Sequence, residues 1–176
     1  PTLLQELWSA TGLAPVVVPG AWELFRIRPD NRPQRRLVGM ALLLHRTWEQ
    51  GFLETLTAAV KEDEVGAVLK ALMVAAPQGP ARRESAFIGA GRASEMAVNI
   101  LLPFCAARGS ASGDSQLRKG AVALYRSWSA LPENEISREV SLQLGIGGGN
   151  NSLGPITARR QQGMIHLYRQ QGRALD

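Results

Sequence analysis

Apolar side chains recur three and four positions apart along most of this chain, and they do not alternate with polar ones over the length of a strand. A 3.6-residue period gathers such positions on one side of a helix, whereas a half-buried strand needs a period of two. The clearest stripe is Leu117, Ala121, Leu124, Tyr125 and Trp128, which follows Asp114 as a helix cap. Leu37, Met40, Ala41, Leu44 and Trp48 form a second face, on a helix capped by Asn31, with Pro33 in its first turn and an end near Glu49. Phe52, Leu53, Leu56 and Val60 predict a third helix, and Val65, Val68, Leu69 and Leu72 a fourth. Similar patterns mark residues 3–8, 95–108, 134–145 and 157–171. Only Val16, Val17 and Val18, β-branched and set between prolines, read as extended. The predicted fold is therefore all-α: one multi-helix domain over residues 1–176, with seven or eight helices and at most one short strand. Residues 1–20 form an arm and residues 145–155 a flexible Gly-rich loop.

At 176 residues the chain can bury a core of its own. With 45% apolar and 20% charged residues it does not have the composition of a disordered protein. The longest apolar run, Leu37 to Leu44, is too short to span a bilayer, and no charged start leads into a secretory signal. Cys105 is the single cysteine, which excludes a disulfide framework and a cysteine-rich zinc site. It reads as a small core residue, and a cytoplasmic location is expected. Trp8, Trp22, Trp48 and Trp128 are each expected to anchor a helix junction.

No catalytic, metal or cofactor site is assigned. The run from Gly145 to Ser152 lacks the lysine of a phosphate loop, and Asn150 stands where a dinucleotide loop needs its third glycine. His45 and Glu49 are spaced to reach one metal, but no further ligand is within sequence reach, so a surface ion pair is the better reading. His166, on the last helix, is expected to be half-buried beside Tyr125 or Tyr168. Nothing beside Cys105 before Arg108 would make it a thiolate.

More informative is the segment from Gly91 to Phe104. Arg92, Glu95 and Asn99 share one helix face inside an otherwise apolar stretch, so Glu95 and Asn99 are predicted to be buried and to need partners. Pro103 removes a backbone donor and is predicted to kink the helix. Residues 26–36 hold the densest positive charge, five arginines against Asp30. Arg26 and Arg28 are assigned to an internal network with Arg92, Glu95 and Asn99. Arg32, Arg35 and Arg36, together with Arg159 and Arg160 at the start of the last helix, are the candidate nucleic-acid-binding residues. Seventeen of the 20 basic residues are arginine and the net charge is +5. A GC-rich genome, which over-encodes Arg, Ala and Gly, accounts for most of that bias, and a phosphate-gripping surface is the alternative.

Three segments carry a family resemblance: Arg26-Ile27-Arg28-Pro29-Asp30-Asn31-Arg32-Pro33, then Gly91-Arg92-Ala93-Ser94-Glu95 through Asn99-Ile100-Leu101-Leu102-Pro103-Phe104, then Arg160-Gln161-Gln162-Gly163-Met164-Ile165. In this order, over roughly residues 20–172, they resemble the C-terminal helical half of the bacterial domain-of-unknown-function family 2851. The resemblance implies that Pro1 lies inside a longer protein, whose preceding half carries acidic and histidine motifs of nuclease-like type. Many members end in a short cysteine cluster; Asp176 is reached here without one, so the resemblance assigns no metal to this chain. The expected function is that of a helical accessory domain holding a polyanion, such as nucleic acid, on an arginine-rich face within a larger nucleic-acid-processing protein. The rival is a structural or protein-interaction domain whose arginines serve internal ion pairs. The direction in which the arginines point separates the two.

Overall fold

A computed structural model describes residues 12, 32–76, 86–132, 135–143 and 157–172. The expectations for residues 3–8, 16–18, 145–155, Trp8, Trp22, Arg26, Arg28, Asn31 and Asn134 lie outside the described residues. Among the described residues seven helices form: α1 (Pro33–Arg46), α2 (Phe52–Lys61), α3 (Val65–Leu72), α4, α5 (Ser115–Ser127), α6 (Glu135–Gln143) and α7 (Ala158–Gly172). Helix α4 runs unbroken through Ala90–Met96, Ala97–Leu101 and Leu102–Ser112. Among the described residues no strand forms, and only two isolated antiparallel bridges occur, Val74 with Ile88 and Ser129 with Thr157. The fold is all-α.

The core lies where α2, α3, α4 and α5 meet. Val60, Val68, Leu72, Leu102 and Leu124 are buried there, and Cys105 is among them. Burial pushes the Cys105 thiol up, with Arg108 offsetting part of the effect, so the sulfur stays a neutral core atom. The stripe predicted on α5 faces this core through Leu117, Ala121, Leu124 and Trp128, while Tyr125 is half-buried on its flank. Two glycines let the helices close up. A Cβ on Gly109 of α4 would stand 2.7 Å from the Arg118 amide nitrogen, and one on Gly120 of α5 would stand 2.6 Å from the Val60 carbonyl oxygen.

Helix α4 ends at Gly113, whose φ of 72° is the left-handed conformation that glycine adopts without a Cβ penalty. Asp114 then caps α5: its Oδ1 accepts from the Leu117 N–H at 3.0 Å, and its Oδ2 pairs with Lys61 Nζ at 2.7 Å. The Leu117 hydrogen bond and, after it, Lys61 favour the ionised carboxylate and hold it below its ordinary value. A folded-state value below the unfolded one stabilises at pH above roughly 4, and the contribution is lost as pH falls through the folded value. Asp114→Ala is therefore expected to lower the thermal midpoint at pH 7 and to converge on the parent at acid pH. Asp114→Asn, which keeps an acceptor at the cap, should lose less. Circular dichroism melts across pH check this.

Helix α1 departs from expectation. It starts after Arg32 and stops at Arg46, so the stretch to Glu49 is a turn rather than helix. Its predicted inward face is outward: Leu37, Met40, Leu44 and Trp48 are exposed, Trp48 by 82%, and Ala41 is exposed with them. Trp48 thus anchors no junction, whereas Trp128 does. Gly39, Leu43 and Thr47 are buried instead. The reason is close approach: Gly39 presents no side chain, so Phe87 and Ile88 come within 3.2 Å of where a Cβ would stand. Arg46 fastens the other end by donating to the carbonyls of Ala71 and Met73 at the C-terminus of α3. Those carbonyls have no partner within α3, and a cation suits that end of the helix dipole. On α3, Val68 and Leu72 are buried as predicted, but Val65 is exposed.

Candidate functional site

The five candidate arginines lie at the start of α1 and at the start of α7. Arg32 and Arg36 are exposed at the first of these. Arg35, expected to face outward, is half-buried, with its guanidinium 4.9 Å from the centre of the Phe87 ring. That geometry is a cation–π contact, which takes Arg35 out of any open surface. Arg159 and Arg160 are exposed on the first turn of α7.

Helix α7 is held to the end of α5 by a short ladder of hydrogen bonds. The Ala158 N–H donates to the Trp128 carbonyl at 2.9 Å, and Ser129 and Thr157 form the bridge next to it. Gln161 then extends the pairing with its side chain. Its Oε1 accepts from the Leu131 N–H at 2.9 Å and its Nε2 donates to the Leu131 carbonyl at 3.1 Å. Gln161 is only 3% exposed, so its amide stands in for a peptide unit where no strand continues. Sequence patterning alone gives Gln161 no role; a polar amide one turn into an apolar-faced helix is the signal that could have found it.

Of the predicted network around Glu95, Arg26 and Arg28 lie outside the described residues, and the rest is less buried than expected. Glu95 is half-buried and Asn99 exposed, and Glu95 makes no ion pair with another described residue. Arg92 is half-buried and does have an interaction, but the expected burial of Arg92, Glu95 and Asn99 together is absent. The physical reason is Pro103. It has no N–H for the Asn99 carbonyl, and its ring would strike that carbonyl in a regular α-helix. Here α4 widens to a π-helical turn over Ala97–Leu101, in which the Leu102 N–H reaches the Ala97 carbonyl. Asn99, within that turn, points to the rim. Its Oδ1 accepts from Gln162 Nε2 at 3.1 Å, so two of the three motif segments meet in space. Together with Leu131, Pro132 and Ile165, Glu95, Asn99, Gln161 and Gln162 line a notch of about 200 Å³.

The more open site lies between α4 and α5, where α7 begins. A cleft of about 410 Å³ is lined by Leu102, Pro103, Ala106, Ala121, Val122, Tyr125, Arg126 and Arg159. Leu102 and Ala121 are its buried floor, and Pro103, Arg126 and Arg159 are exposed at its rim. Neither Arg126 nor Arg159 makes a hydrogen bond or ion pair with another described residue. An apolar floor with two open guanidinium forks and no carboxylate is suited to an anion with an apolar part. Arg126 is not among the candidates that the sequence offers. It follows Arg118 and Val122 at four-residue steps, a flank that periodicity alone could have picked out.

Positive charge predominates around this cleft. Residues 97–132 contain one acid, Asp114, which is paired with Lys61, and residues 157–172 contain none. On those stretches Arg108, Arg118, Lys119, Arg126, Arg159, Arg160 and Arg169 are all exposed. Most of the described acids lie elsewhere, as Glu49, Glu54, Glu62, Asp63 and Glu64 on and around α2, with Glu95 near the start of α4 and Glu135 and Glu139 on α6. Both histidines, His45 and His166, are exposed, so His166 is not the half-buried residue expected. Among the described residues, no group of three His, Cys, Asp or Glu could hold a metal ion, and no helix is long and apolar enough to cross a membrane. No family model, no curated protein and no solved structure matches the chain.

Proposed function

We propose that this is a helical accessory domain that holds a polyanion on the surface formed by α4, α5 and α7, within a larger nucleic-acid-processing protein. The observation that supports it is the excess of positive charge: seven exposed cations over residues 97–132 and 157–172, against one acid, Asp114, already paired with Lys61. Arginines serving internal pairs would point inward, whereas Arg126 and Arg159 are exposed and pair with no other described residue. The surface centres on Arg159 and Arg126, with Arg160 beside it. Arg32 and Arg36 are a second basic patch on α1, from which Arg35 is withdrawn by Phe87. The resemblance to family 2851 is proposed on the same footing, supported by the meeting of its Glu95–Asn99 and Gln161–Gln162 segments.

Phosphate neutralisation would supply most of the affinity, because no element among the described residues has the form of a base-reading motif. Binding should be weak, sequence-independent and reduced by salt. Changing Arg126 and Arg159 together to alanine is expected to weaken binding to a labelled single strand and to shrink its salt slope by up to about 1.4, at roughly 0.7 for each phosphate no longer neutralised. The fold should survive, since exposed charged side chains without partners contribute little to stability. Fluorescence anisotropy against salt measures both quantities; an unchanged slope would rule out these two arginines as phosphate ligands.

The rival reading, a protein-interaction domain, has one observation of its own. Leu37, Met40, Leu44 and Trp48 of α1 and the turn after it form an exposed apolar row of the kind that marks docking surfaces. It lies on a different helix from the cations of the cleft, so the two roles do not exclude each other.

A further inference from the structure

The cleft differs from a purely electrostatic surface in one respect: its floor is apolar. A protein that grips only phosphates needs a basic ridge or groove and gains nothing from Leu102, Ala121 and a half-buried tyrosine between its cations. Duplex nucleic acid presents phosphates outward and keeps its bases stacked inside, so it offers nothing to fill such a floor. A single strand offers both parts at once, an anionic backbone and unstacked bases with apolar faces.

We infer that the polyanion is single-stranded nucleic acid, with one base seated in the cleft against Tyr125 and the phosphates on either side of it held by Arg126 and Arg159. This rests on the polyanion reading above and adds the class of ligand. Among the described residues Tyr125 is the only aromatic side chain lining the cleft, and it rises from the same helix as Arg126, one residue before it. Arg159 approaches from α7, which the Gln161 ladder fixes to the end of α5. The two cations are therefore carried by separate helices held in register across an apolar seat. At about 410 Å³ the seat falls within the size range of small-molecule sites and is open to solvent on one side, as passage of a continuous chain requires. Nothing in the lining distinguishes one base edge from another, so the seat should accept any base.

The test compares four probes at matched salt with the intact chain: labelled single-stranded DNA, single-stranded RNA, duplex DNA of the same length, and inorganic polyphosphate. Both single strands are expected to bind more tightly than duplex and polyphosphate. Tyr125→Leu, which keeps apolar bulk but removes the ring, should cost the single strands about tenfold and leave polyphosphate unchanged. Ala106→Met, which fills the seat from the α4 wall, should do the same and guards against a folding defect in the first variant. Equal binding of all four probes, or equal loss for single strands and polyphosphate in both variants, would overturn the single-strand inference while leaving the polyanion reading intact. No binding of any probe would overturn both.

Discussion

Gln161→Ala is expected to lower the unfolding free energy by about 3 kcal/mol, because it leaves two buried backbone groups without partners at a cost of roughly 1–3 kcal/mol each. The two groups are the N–H and carbonyl of Leu131, which the Gln161 amide satisfies at 2.9 and 3.1 Å, both residues being buried. Glutamate should be nearly as damaging as alanine, since its carboxylate accepts from the N–H but cannot donate to the carbonyl. The loss should also reach the cleft, because the ladder from Trp128 to Leu131 is what sets α7, and with it Arg159, against the end of α5. Chemical denaturation of parent and variants measures the effect. A loss below about 0.5 kcal/mol, the range of an exposed site, would mean that the amide does not bridge Leu131.

The second large effect has a diagnostic sign. Alanine is favoured over glycine in a helix by about 1 kcal/mol, so a glycine with room around it should gain from the change. A Cβ on Gly163 of α7 would meet no atom within 4 Å, and Gly163→Ala is expected to stabilise by up to that amount. Gly120 on α5 is the opposite case. Its Cβ would stand 2.6 Å from the Val60 carbonyl oxygen, a backbone atom that moves only if α2 moves. Gly120→Ala is expected to destabilise by about 2 kcal/mol net, as overpacking outweighs propensity. Thermal and denaturant unfolding of the two variants side by side would show opposite shifts. A stabilising Gly120→Ala would mean that α5 and α2 do not approach that closely.

These residues also show what is legible in the sequence. The helices can be placed because their apolar spacing is a local signal, and the α5 stripe with its Asp114 cap is readable nearly residue by residue. On α1 the same reasoning picks the wrong side. Its middle, Leu37–Leu44, is apolar all round, so periodicity identifies a face but cannot say which one a neighbour will cover. The deciding feature is a missing side chain, Gly39, against which Phe87 and Ile88 pack. The expected burial of Glu95 and Asn99 fails for a different reason. Glu95 and Asn99 do share a face in a regular helix, and Pro103 predicts a kink after them. A π-helical turn accommodates the proline, and Asn99, within it, lies at the rim. The cleft is half legible. Arg159 stands out by charge alone, while Arg126 and Tyr125 matter because α4 and α7 meet beside them, a tertiary fact that no local pattern encodes.

Whether the cations of α4, α5 and α7 hold a polyanion is tested most directly by the salt dependence of binding of the intact chain to a fluorescently labelled single strand. Three or more phosphate contacts predict that log Kobs falls against log salt with a slope of about −2 or steeper. Measurable affinity at low salt that collapses towards physiological salt with such a slope is the expected result. No binding at low salt, or binding that does not respond to salt, would contradict it.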